Sequence, residues 1–219
     1  MSELVRKSTV DQAADHLRER ILGGEMPPGT RLREAALADR LGVSRNTLRE
    51  TLLRLEHEAL VSHEAHRGAA VASPGPADVE DIFAVRRVLE SAGLDRVAAD
   101  GPGGLAPLRA AVEDLEARAR AGDWEDYADA EARFHGALVD ALGSPRMSAL
   151  YRRCLGELRL ALLEVDRGIP PDAPRPYVRE HRRIVDTLEA GRIEEARALL
   201  QRHLDEAAAL VREWSANEA

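Results

Sequence analysis

Apolar residues recur at helical spacing in two short stretches of the first sixty residues and through nearly everything after residue 76. Val10, Ala13, Ala14, Leu17 and Ile21 fall on one face of a first helix, which stops at Gly23-Gly24. Thr9, with Gln12 three residues on, fits a capping box at its start. A short helix from Glu34 to Leu41 ends on Gly42, a residue free to adopt the left-handed conformation that stops a helix. Ser44 can N-cap the next helix, whose Leu48, Leu52 and Leu55 form one stripe. Two helices joined by so short a glycine-bearing turn form a helix-turn-helix.

The period then shortens. Leu60-Val61-Ser62-His63 and Ala69-Ala70-Val71-Ala72 are extended candidates on either side of a glycine-containing turn at residues 64–68, so a β-hairpin follows. A hairpin directly after such a helix is a wing, with Arg67-Gly68 at its tip. Ala72-Ser73-Pro74-Gly75-Pro76 reads as a stiff linker between a unit at residues 1–73 and a unit at residues 74–219. Beyond it the spacing predicts helices over 78–99, 105–120, 124–142, 147–166, 177–190 and 193–214, with Gly- and Pro-rich breaks between them. The fold class is mostly α: a winged helix-turn-helix of three helices plus a β-hairpin, then an all-α bundle of about six helices.

Charge sharpens this division. The net charge is −8, the wrong sign for a nucleic-acid partner. Residues 1–73, however, hold 11 Lys+Arg against 11 Asp+Glu, and residues 74–219 hold 20 against 28. All the excess acid is C-terminal, and an N-terminal reader need only be basic on its contact face. Arg45, Asn46 and Arg49 at the start of the second helix of the motif suit guanine, adenine and phosphate contacts. Gly68 would let the wing backbone approach a duplex closely. The single cysteine, Cys154, excludes an internal disulfide and suits a reducing compartment. No apolar run approaches the roughly 20 residues of a membrane span. The expectation is a cytoplasmic protein with no membrane partner.

The acidic half holds three histidines, His135, His181 and His203, each in the middle of a separate predicted helix. Glu131 precedes His135 by four residues, so the two share a helix face and can chelate one ion. Three imidazoles and a carboxylate converging inside a bundle would form an open site for a divalent metal: Zn first, with Ni, Mn or Fe as alternatives. The bland reading is equally concrete, because a histidine on a helix is more often surface or core than ligand. Spacing alone does not bring three helices together.

The residues resemble a known family. Pro28-Gly29-Thr30-Arg31-Leu32, Glu34, Leu37-Ala38, Leu41-Gly42-Val43-Ser44-Arg45, Leu48-Arg49-Glu50, Leu53 and Leu55-Glu56 resemble the winged helix-turn-helix of the GntR family of bacterial transcription regulators. The C-terminal part resembles the effector-binding FCD domain of the FadR-like subfamily, through Arg86 with Leu89-Glu90, Phe134-His135, Glu180-His181-Arg182 and Arg202-His203-Leu204. The resemblance implies a metal held by Glu131, His135, His181 and His203, with Glu131 where the family usually has Asp. It implies DNA contacts by Ser44, Arg45, Asn46, Arg49, Arg67 and Gly68, a homodimer on a palindromic double-stranded DNA operator, and a small carboxylate effector. Asn46 stands where the family usually has Thr, which would alter the operator read.

The resemblance puts Arg86 in the pocket helix, where it would bind the effector carboxylate; an ion pair with Glu90, four residues on, is the equal alternative. The protein expected is a metabolite-responsive regulator, a repressor, and not an enzyme. Two rivals are a metalloenzyme tethered to a DNA-binding unit and a metal-free regulator that accommodates an acyl chain. No second Glu-x-x-His pair supports a di-iron bundle, and an acyl-chain sensor would not need three histidines at these positions.

Overall fold

A computed structural model describes residues 7–64, 68–168 and 177–217. Helix α1 (Thr9–Leu22) buries Ala13, Ala14, Leu17 and Ile21. Its cap lies one residue earlier than the Thr9–Gln12 spacing suggests. Ser8 accepts from the Asp11 amide, and the Asp11 carboxylate accepts from the Ser8 amide. Asp11 completes the reciprocal box because its charged oxygen is the better acceptor, whereas the Gln12 amide donates to the Lys7 carbonyl instead.

The next elements are β1 (Arg31–Leu32), α2 (Glu34–Leu41), α3 (Arg45–His57), β2 (Val61–Glu64) and β3 (Gly68–Val71). The hairpin runs in register from Val61 opposite Val71 to Glu64 opposite Gly68, and β1 adds a third antiparallel strand on β3. Two residues are too short to show a period of two, which is why β1 is invisible in the sequence pattern. Leu17, Ile21, Leu37, Leu48, Leu52, Leu55, Val61 and Val71 form the core of this part. Leu160, from a helix far along the chain, is fully buried in the same core.

The helical part contains α4 (Pro76–Asp100), α5 (Pro102–Ala121), α6 (Trp124–Asp140), α7 (Pro145–Gly168), α8 (Tyr177–Glu189) and α9 (Ile193–Asn217). Pro76, Pro102 and Pro145, which read as breaks in sequence, are first residues of helices. An amide there has no intrahelical acceptor, so a proline costs nothing and its fixed φ suits the helix. Helices α4, α6, α8 and α9 surround a core of Phe83, Leu94, Phe134, Leu138, Ile184, Leu188, Leu200 and Leu204. Helices α4 and α6 meet backbone to backbone at Gly93, where a Cβ would stand 2.1 Å from the Leu138 carbonyl oxygen. Among the described residues no helix is long and apolar enough to cross a membrane.

Candidate metal centre and nucleic-acid interface

Helix α6 carries Glu131 and His135 one turn apart, α8 supplies His181 and α9 supplies His203. Their packing around the apolar core brings one ligand atom from each of the four residues within 4.8 Å of the others. The three imidazoles are almost completely buried and Glu131 is half-buried. His135 Nε2 lies 3.2 Å from His181 Nε2 and 3.4 Å from His203 Nε2. Ligand nitrogens about 2.1 Å from one ion and 90–109° apart would be separated by roughly 3.0–3.4 Å. The observed spacings fit that requirement.

The opposite edge of each ring settles which nitrogen is free. His135 Nδ1 is 2.7 Å from Glu90 Oε2, His181 Nδ1 is 2.7 Å from the Tyr177 carbonyl, and His203 Nδ1 is 2.9 Å from Glu180 Oε2. All three partners are acceptors, so each Nδ1 must be the donor and each inward Nε2 keeps its lone pair. Lone pairs facing one another at such separations repel unless a cation lies between them. The donor set therefore fits a divalent metal, and the outer partners fix ring orientation as they do in known metal sites. Burial, reinforced by His203 and His135, pushes the His181 imidazole far down from its ordinary value, and burial brings His203 down to about 3. Both are neutral ligands at pH 7, with no proton to displace.

Behind His135 lies a second buried group. Glu90 is fully buried, accepts from Arg86 Nε at 2.8 Å with the same oxygen that accepts from the Tyr151 hydroxyl at 2.5 Å, and receives His135 on the other. Burial alone would raise the Glu90 carboxyl, but Arg86, with His135 beside it, outweighs burial and holds it well below the usual carboxylate range. Arg86 also stacks over the Phe83 ring, 5.0 Å from its centre. Arg86 makes the ion pair with Glu90, four residues on, that the sequence offers. The guanidinium remains close enough to the imidazoles to disfavour protonation of His181 and His203. Glu90 as the partner of His135, and Tyr151 as the partner of Glu90, were missed, because contacts spanning 45 and 61 residues leave no periodic trace.

In the N-terminal part Gly42 takes φ 65°, ψ 30° and closes α2; Ser44 then caps α3 by accepting from the Thr47 amide at 3.1 Å. The hydroxyl of Ser44 is thus committed to holding the start of the helix. Leu48, Thr51, Leu52 and Leu55 face inward, leaving Arg45, Asn46 and Arg49 exposed on the outer face. Arg49 Nε bonds Glu34 at 2.8 Å across the motif. Gly68 is exposed at φ 79°, a conformation that favours glycine, opposite Glu64 at the turn end of the wing. Arg67 lies outside the described residues.

Residues 9–71 match the bacterial regulatory proteins of the gntR family, and residues 81–206 match the FCD domain. The chain is 33% identical to a solved transcriptional regulator GntR from Rhodococcus sp. RHA1, covering 94% of this chain and 98% of that one with a TM-score of 0.79. An HTH-type transcriptional regulator in an unstable DNA locus of Streptomyces ambofaciens is 30% identical over 86% of this chain and 78% of its own length. A relative named for repression of a D-xylose utilization operon in Paenarthrobacter nicotinovorans is 29% identical over 92% of this chain and 88% of its own.

Proposed function

The chain belongs to the gntR family of bacterial regulatory proteins and carries an FCD domain, so it is a DNA-binding transcription regulator and not an enzyme; from that premise we propose that it is a cytoplasmic repressor whose grip on a palindromic operator is set by a small organic acid at a divalent-metal site. The observation that carries the reading is the convergence of three imidazole Nε2 atoms and the Glu131 carboxylate in one buried cluster. Glu131, His135, His181 and His203 would hold the ion, zinc first by ligand type. When bound, the ion supplies a Lewis-acidic centre for a carboxylate ligand. Arg86, whose charge stands beside the histidines, attracts the same anion and keeps its second oxygen oriented.

On the DNA side, Arg45 and Asn46 read base edges and Arg49 holds phosphate or guanine, while Gly68 admits the wing to the backbone and Arg67, its neighbour in sequence, supplies a charge for phosphate. The operator is palindromic because the reader is a homodimer. Support for the dimer comes from exposed apolar side chains on two packed helices, Ala84, Val88 and Ala92 on α4 and Met147 and Leu150 on α7. Val88 is 69% exposed and Leu150 56%, a cost that pairing with a second copy would remove.

The test is a thermal-shift screen of hydroxy, keto and sugar acids on chelator-stripped protein, with and without zinc. A ligand of the native state raises apparent stability. The reading predicts stabilisation by zinc, and acids that stabilise only when zinc is present. Acids that stabilise the stripped protein equally would refute the role of the metal in sensing.

A further inference from the structure

Helix α7 touches both halves of the molecule. At its N-terminal end Tyr151 is buried in the helical part and donates to Glu90, which holds His135. Five residues on, about 7.5 Å along the helix axis, Gly156 meets the carbonyl of Glu58 so closely that a Cβ there would lie 2.3 Å from that oxygen. Glu58 is the C-cap of α3, the helix that presents Arg45, Asn46 and Arg49. A further turn along, Leu160 completes the core of the DNA-binding part. Glu58 is itself clamped to α1 by a two-pronged ion pair with Arg18, at 2.7 Å for each prong. Beside this seam an open cleft of about 710 Å³ is lined by residues of both parts, among them Arg18, Leu22, Glu58, Arg133 and Tyr151. The seam is therefore narrow, and the cleft leaves the end of α3 room to shift.

We infer that Tyr151 is a positioning residue that carries the state of the histidine cluster to the recognition helix, along the path His135, Glu90, Tyr151, Gly156 and Glu58. The inference rests on the reading of the cluster as a metal site. Fixing the His135 ring fixes the Glu90 carboxylate through Nδ1, and Glu90 in turn fixes the height of Tyr151 and with it the seat of α7. Because Gly156 and Glu58 meet backbone to backbone, α7 cannot slide without moving the α3 C-cap. No flexible side chain lies between them to absorb the displacement.

The experiment is hydrogen exchange of the full chain, stripped with chelator and then saturated with zinc. The readout is the amides of Glu58, Ala59 and Leu60, which donate to the carbonyls of Arg54, Glu56 and Leu55. In wild type, zinc slows their exchange by about fivefold or more, the low end of ordinary coupling between sites. Tyr151→Phe, compared at saturating zinc so that any loss of affinity is bypassed, loses that dependence. Gly156→Ala pushes the α3 end off α7, so these amides exchange fast with or without zinc, and because coupling is reciprocal zinc affinity by titration calorimetry falls by about the same fivefold. Zinc that fails to bind wild type overturns the metal reading and this path with it. Zinc that binds without slowing these amides, or a Tyr151→Phe protein that keeps the full zinc effect, overturns the path alone.

Discussion

Replacing Glu90 with glutamine changes one atom and inverts the logic of the site behind His135. The carboxylate accepts from Arg86 and Tyr151 on Oε1 and from His135 on Oε2. A glutamine must keep its carbonyl toward the two donors on the first side, so its NH2 faces His135. An NH2 cannot accept, and His135 must then present a lone pair on Nδ1 and carry its proton on Nε2. That proton occupies the position where the ion would bind. Loss of an outer-shell partner typically costs about 10–100-fold in metal affinity, or roughly 1.4–2.7 kcal/mol.

Stability suffers separately, because Arg86, 4% exposed, loses the charge that compensates it. Breaking a buried pair costs about 3–5 kcal/mol when the remaining charge is left alone. Glutamine keeps the hydrogen bond to Arg86, so the lower end of that range applies. Zinc titration calorimetry reads the first effect and urea denaturation of the stripped protein reads the second. A variant that folds, binds zinc within twofold of wild type and unfolds at the same urea concentration would refute the assignment of Glu90 as the residue that fixes His135.

Two further outcomes follow from the same geometry. Arg49→Ala should abolish operator binding in a gel-shift assay while leaving zinc content unchanged, and should cost no more than about 1 kcal/mol in stability, because its pair with Glu34 is exposed to solvent; retained DNA affinity would remove Arg49 from the interface. Gly93→Ala should destabilise by about 1–3 kcal/mol or more in urea, since its methyl would overlap a backbone oxygen that cannot turn aside; an unchanged midpoint would mean that α4 and α6 do not pack as closely as described.

Much of this protein is legible in its sequence, for identifiable reasons. Gly42, Ser44 and the Leu48–Leu52–Leu55 stripe act within a few residues of one another, so the turn and the exposed face of α3 follow from local chemistry alone. The spacing of Glu131 and His135 places both on one face, but neither spacing nor composition says that α8 and α9 bring His181 and His203 to the same point. Family resemblance suggested that meeting, and the packing of the bundle produces it. What stayed hidden is of two kinds. Glu90 and Tyr151 work through contacts 45 and 61 residues apart, and a buried acid on a helix looks in sequence like any other acid. Gly93 and Gly156 look like weak points in helices, yet each is a place where two backbones touch and no side chain fits. Prolines misled in the opposite sense, since Pro102 and Pro145 open helices that the pattern starts later.

Zinc-edge X-ray absorption on the zinc-loaded chain addresses the central claim most directly. The account predicts three imidazole nitrogens and at least one oxygen at about 2.0–2.2 Å, with no sulfur, and loss of one imidazole in His181→Ala. A sulfur shell, fewer than three imidazoles, or a spectrum unaltered by that substitution would contradict it.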